Sequence, residues 1–135
     1  MTGKGAEKPA PIRMVEPAEP SSIASLRQRA GSFAAECGAH DDLIADVKLA
    51  VSEAATNVVK YAYDAADEGV VELSASVKDR WLLVRIGDEG KKWFEGPSTG
   101  LGLGVTIIAR LCESVKIVQE GKGTKVLMRF ELPAT

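Results

Sequence analysis

The sequence predicts a two-layer α+β sandwich, a mixed or antiparallel sheet covered on one face by three helices. Three observations carry this. Two strand pairs are joined by short turns, which imposes antiparallel pairing. Each clear strand has a single apolar face. The helical segments are too few to cover both faces of so small a sheet. At 135 residues the chain is read as one domain, residues 10–135, behind a polar N-terminal tail, residues 1–9, expected to be disordered. Hydrophobic content of 45% with 27% charged residues is ordinary for a soluble globular protein. A net charge of -2 gives no electrostatic case for direct nucleic-acid binding or for an anionic membrane surface. No apolar run approaches the roughly 20 residues that span a bilayer, and the N-terminus lacks the apolar stretch of a signal peptide. A cytoplasmic protein is expected.

Taken in order, Ala10 to Pro17 gives a short strand whose flanking prolines suit a sheet edge. A first helix, capped by Ser21 or Ser22, runs to about Cys37 with Ile23, Leu26, Ala30, Phe33 and Cys37 as its apolar stripe and Gly38 beyond its end. Asp41 and Asp42 open the central helix, which ends near Tyr63. Val70 to Val77 alternates apolar and polar residues, turns at Lys78-Asp79, and returns as Arg80 to Ile86. After a glycine-containing loop, Asp88 to Gly100, a third helix runs from about Leu103 to Cys112. Val115 to Val118 and Thr124 to Leu132 form a last hairpin, in which Val126, Met128, Phe130 and Leu132 share one face. Cys37 and Cys112 match no metal spacing and are read as small buried hydrophobes; the single histidine, His40, sits at a helix start.

The chemistry centres on Leu49 to Tyr63, LAVSEAATNVVKYAY. Glu53, Asn57 and Lys60 break its apolar pattern at i, i+4 and i+7, which stacks them along one α-helical face. Such a row also occurs as an ordinary solvated face. It gains meaning from two loops that follow. In IGDEG, Ile86 to Gly90, Asp88 leaves a strand where it can accept a hydrogen bond from an exocyclic amine, and Gly90 admits a flat ring close to the backbone. In TGLGLG, Thr99 to Gly104, glycines open a helix and let backbone N–H groups approach phosphates. The second motif is not a Walker A, having no Lys-Ser/Thr after it, and it lacks the βαβ context of a dinucleotide fingerprint.

ExxxN on a helix, DxG after a strand, GLGLG before a helix and a late GT strand together resemble the Bergerat (GHKL) ATP-binding fold of histidine kinases and gyrase, over roughly Ile12 to Leu132. Within that superfamily, AVSEAATNVVKYAY and the size of the chain look most like the bacterial anti-sigma-factor serine/threonine kinases. The resemblance implies ATP and Mg²⁺ as cofactors. It implies Glu53 as general base, Asn57 as the Mg²⁺ ligand, Lys60 as a looser match to a phosphate-contacting lysine, and Asp88 with Gly90 at the adenine. Gly100, Leu101, Gly102 and Leu103 match the box that supports the phosphates, flanked by Thr99 and Gly104, and Thr124 matches the threonine beside the adenine pocket. A carboxylate at position 53 suits deprotonation of a hydroxyl, where histidine kinases usually carry Asn.

By the same resemblance the partners are a sigma factor, held from RNA polymerase, and an anti-anti-sigma (STAS-domain) protein phosphorylated on serine; a homodimer is also implied. Two features depart from the family pattern: Lys92 replaces the second glycine of DxGxG, and Lys91 to Thr99 is short for an ATP lid. These favour an alternative, a catalytically weak or inactive nucleotide-binding switch that acts only by protein–protein binding. A third alternative is an ATP-hydrolysing fragment of a larger machine. Trp93 and Phe94 either pack the lid on the domain, the favoured reading, or form a contact patch.

Overall fold

In the computed structural model the strands and helices follow the predicted order, β1 Ile12–Pro17, α1 Pro20–Glu36, α2 Asp41–Asn57, β2 Val70–Lys78, β3 Trp81–Asp88, α3 Leu101–Leu111, β4 Ser114–Glu120 and β5 Gly123–Glu131. The structure describes residues 8–64, 67–90 and 101–134, the side chains of 101–104 and 120 excepted. The five strands form one sheet in the order β1-β2-β3-β5-β4, and every pairing is antiparallel. β1 lies at the edge, as its prolines require, because Pro has no N–H to give a second neighbour.

The period-2 pattern sets which face is covered. Val71, Leu73 and Ala75 of β2, Leu82, Val84 and Ile86 of β3, and Val126, Met128 and Phe130 of β5 are all buried. Leu83, between two of them, is 38% exposed on the opposite face. The helices supply the other half of the core through Leu26, Ala30, Phe33 and Ala34 of α1 and Val47, Ala50, Val51, Ala54 and Ala55 of α2. A methyl on Gly31 would meet the Lys48 side chain at 2.9 Å, so the two helices approach closely there. On the open face Arg129 lies over the Trp81 ring, 4.2 Å from its centroid, and Arg80 pairs with Glu131 at 2.7 Å.

Several boundaries shift for local reasons. α1 starts at Pro20, with Glu19 at the N-cap and no side-chain cap, so neither Ser21 nor Ser22 caps it. Proline presets the helical φ at this position, and Ser22 is buried in the first turn instead. Its C-terminus follows expectation: Gly38 has φ +92, its N–H reaches Ala35 O at 3.0 Å, and the Ala39 N–H reaches Ala34 O at 3.0 Å. That pair of bonds satisfies two carbonyls of the last turn. The β2–β3 turn falls one residue later than predicted, at Asp79-Arg80 between the paired Lys78 and Trp81, with Asp79 at φ 56. Cys37 and Cys112 are half-buried rather than buried, with thiols pushed up by burial, Cys37 to about 11. Lys8, within the predicted tail, donates a hydrogen bond to Asp79 O. No helix among the described residues is long and apolar enough to cross a membrane.

Because the core is one-sided, the two faces should respond differently to truncation. Phe130→Ala is expected to lower the free energy of urea unfolding by about 3–5 kcal/mol, whereas Leu83→Ala on the open face should change it by only about 0.5 kcal/mol.

Candidate functional site

The central helix does not continue as an α-helix to Tyr63. After Asn57 it closes in a π-helical turn, Val58–Ala62, with Val58 and Ala62 buried. A π turn is wider than an α turn, so Lys60 leaves the row that Glu53 and Asn57 share. Glu53 and Asn57 are half-buried one α-turn apart, and Lys60 is exposed. Among the described residues, no hydrogen bond or ion pair engages the side chains of Glu53 and Asn57. A carboxylate and an amide oxygen one turn apart form a donor set suited to a hard cation and a hydroxyl proton.

The end of this helix touches the loop after β3. A methyl on Gly90 would sit 2.0 Å from Ala62 O, so only glycine permits the approach. Asp88, the last residue of β3, is buried; its Oδ1 accepts the Gly90 N–H at 2.9 Å, and its carboxylate also takes the backbone N–H of Thr124. Burial raises the Asp88 pKa above the ordinary value, and these two N–H donors partly oppose that rise. Thr124, opposite on β5, is itself buried, and a methyl on Gly123 would meet Asp88 O at 2.0 Å. Asp88, Gly90 and Thr124 are thus brought together.

α3 begins at Leu101, two residues earlier than predicted, so Leu101, Gly102, Leu103 and Gly104 form its first turn. That turn holds no acidic residue, unlike α2 with Asp41 and Asp42, so its positive dipole end is not neutralised from within. α3 packs beside α2. Thr99, Gly100, Lys92, Trp93 and Phe94 lie outside the described residues. A cavity of about 500 Å³ borders Asp88 between Arg13, Glu72, Lys122 and Lys125, but it lacks Glu53 and Asn57 and opens on the uncovered face of the sheet. The residues present fit Mg²⁺-ATP by their chemistry: a buried acceptor at a strand end, an amide and a carboxylate on the neighbouring helix, and glycines opening a third element.

Sequence reasoning missed Tyr63. Its hydroxyl donates to Val70 O at 2.6 Å and accepts the Glu89 N–H at 2.8 Å, while its ring covers Gly69, where a methyl would lie 2.3 Å from ring carbons. The available signal was a tyrosine ending an apolar helix with a glycine shortly after it.

Residues 16–130 match the family model described as the histidine kinase-like ATPase domain. The chain is 35% identical over 116 aligned residues to an anti-sigma F factor of Clostridium acetobutylicum, covering 76% of this chain and 80% of that protein. It is 33% identical over 133 aligned residues to the serine-protein kinase RsbW of Bacillus subtilis, covering 87% and 82% respectively. In fold it is similar, with a TM-score of 0.73 at 22% identity, to the crystal structure of the RsbU and RsbW domains of a Mycobacterium tuberculosis protein, over 92% of this chain and 33% of that one.

The raised Asp88 pKa makes a signed prediction. The folded state holds this proton more tightly than the unfolded chain, so the ionised carboxylate costs stability at neutral pH. That cost is relieved as pH falls through the raised value toward 3.8. Urea midpoints measured between about pH 3.5 and 7 should therefore show wild type gaining stability relative to Asp88→Asn on acidification. The opposite slope would mean that Asp88 is better solvated than its burial indicates.

Proposed function

The chain belongs to the histidine kinase-like ATPase domain family, and from that premise we propose that it is an ATP-dependent serine/threonine protein kinase of the anti-sigma-factor type. It would act in the cytoplasm, holding a sigma factor and phosphorylating a serine of an anti-anti-sigma (STAS-domain) protein. The observation that carries this reading is the pairing of Glu53 and Asn57, one turn apart on α2 and uncommitted to any described residue, on the helix whose last turn meets the loop after the buried acceptor Asp88. The names of the relatives, an anti-sigma F factor and a serine-protein kinase, support the same activity.

Mg²⁺-ATP, when bound, supplies the phosphoryl group and the metal charge that stabilises its transfer. Asp88 would accept the hydrogen bond of the purine amino group, more strongly when ionised. Asn57 would hold the metal through its amide oxygen. The N–H groups opening α3, with Thr99 and Gly100 before them in sequence, would bind the phosphates. Glu53 would take the proton of the serine hydroxyl as that oxygen bonds to the transferred phosphoryl group and ADP leaves. A phosphate of about -2 charge on the product weakens the complex through repulsion and desolvation, which makes the transfer a switch.

The test is transfer of label from Mg²⁺-ATP to a purified anti-anti-sigma partner, alongside calorimetric binding of Mg²⁺-ADP. Glu53→Gln should lower transfer by about 10²–10⁴-fold and leave ADP binding intact, while Asn57→Ala should weaken the Mg²⁺-dependent part of binding. Binding without transfer would favour the switch that acts only by protein contact, the reading suggested by Lys92. No binding at millimolar nucleotide would sink both.

A further inference from the structure

Asp88 recognises a base only if its carboxylate is aimed; the Gly90 N–H holds its Oδ1 at 2.9 Å, and the peptide after Asp88 sets where that N–H lies. The Glu89 N–H and the Asp88 C=O belong to one peptide plane, whose orientation is the ψ angle of Asp88. The N–H edge of that plane is held by the Tyr63 hydroxyl at 2.8 Å. The C=O edge lies against Gly123, whose α-carbon leaves no room for a methyl. Tyr63 is itself fixed at both ends: its hydroxyl donates to Val70 O at 2.6 Å, and its ring lies on Gly69. The phenol uses its donor and one acceptor position in this arrangement, so it forms a two-sided bridge. It spans the last turn of the Glu53 and Asn57 helix, the start of β2 and the loop after β3.

We propose that Tyr63 is a positioning residue of the nucleotide site, its hydroxyl fixing the Asp88–Glu89 peptide and thereby setting the preference for a purine that carries an exocyclic amine at the position Asp88 reads. This inference rests on the ATP reading of the site. It adds a residue that touches neither base nor phosphate, and it makes the base end of the site mechanically continuous with the helix that holds the metal and the proton acceptor. Loss of the hydroxyl leaves the ring on Gly69 but releases the Glu89 N–H, so the peptide after Asp88 is held on its Gly123 edge alone and can shift the Gly90 N–H that holds Asp88 Oδ1 at 2.9 Å. A released carboxylate still carries its charge, yet it no longer meets an amino group in a fixed direction. Adenine then loses more than guanine, whose oxo group gains nothing from Asp88 in either state.

The experiment compares wild type and Tyr63→Phe in two ways. Amide hydrogen exchange of Glu89 is followed by NMR in nucleotide-free protein, and binding of Mg²⁺-ADP and Mg²⁺-GDP is measured by calorimetry. In Tyr63→Phe the Glu89 amide should exchange several-fold faster. ADP affinity should fall about 5–10-fold, the scale of one lost hydrogen bond, and the ratio of ADP to GDP affinity should narrow by a similar factor. A merely structural tyrosine would lower Tm and leave that ratio unmoved, which would overturn the proposal. So would unchanged Glu89 exchange. If wild type binds ADP and the variant matches it, the positioning role alone fails. If wild type binds neither nucleotide, the ATP reading fails and takes this inference with it.

Discussion

Backbone packed on backbone at Gly90 is the constraint from which the site follows. The carbonyl of Ala62 occupies the space a side chain would need, so α2 and the loop after β3 meet without an intervening layer. At Gly123 a second contact of this kind brings β5 onto the carbonyl of Asp88. Side-chain packing elsewhere tolerates adjustment because rotamers can shift. Contacts between main chains cannot relax that way, so the relative position of helix and strand end is set to within a fraction of an ångström. The π turn at Val58–Ala62 lies at this junction, where the helix must deliver a carbonyl to a loop instead of to its own next turn.

Placing Asp88 in so closed a junction has an electrostatic cost, visible in its raised pKa. Two N–H donors offset part of it, and both come from residues that the close contacts fix, Gly90 and Thr124. A carboxylate exposed to water would recognise an amine weakly, because water competes for both partners. Burial removes that competition, provided the ionised form survives at neutral pH, and the N–H donors serve that end. The first turn of α3 shows the complementary economy of charge. Asp41 and Asp42 neutralise the dipole of α2, whereas α3 opens on glycines and leucines and its positive end is not offset from within the turn.

Strand alternation and helix periodicity made most of the fold legible in the sequence, because a one-sided core writes its pattern into every element. Val71, Leu73, Val126 and Phe130 lie inside as their spacing required. Gly38 was legible because left-handed backbone at a helix end favours a residue without a side chain. Asp88 and Gly90 were singled out from local type and position. The failures have two causes: one local signal was overridden by a neighbouring proline, and the others depend on structure that local patterning does not encode. Ser21 and Ser22 looked like caps, but Pro20 fixed the helix start first. Lys60 fits the Glu53–Asn57 row only while the helix remains α, and nothing in VVKYA announces a π turn. Tyr63 takes its role from Val70 and Glu89, and the latter lies beyond an entire strand hairpin.

The same contacts bear on why Glu53 sits where it does. A base that removes a proton from a protein hydroxyl must remain half-open to a macromolecular substrate and still hold its position. Glu53 is half-buried on a helix whose neighbouring residues, Ala54 and Ala55, are fully inside, so the backbone beneath it is fixed while the carboxylate remains reachable. Asn57, one turn on, shares that support, and the next turn is anchored through Ala62 and Tyr63 to the strand end that carries Asp88. The groups proposed for catalysis, metal binding and base reading are therefore mounted on one continuous piece. Their mutual spacing is built before any nucleotide arrives, so binding need not supply the free energy to assemble them.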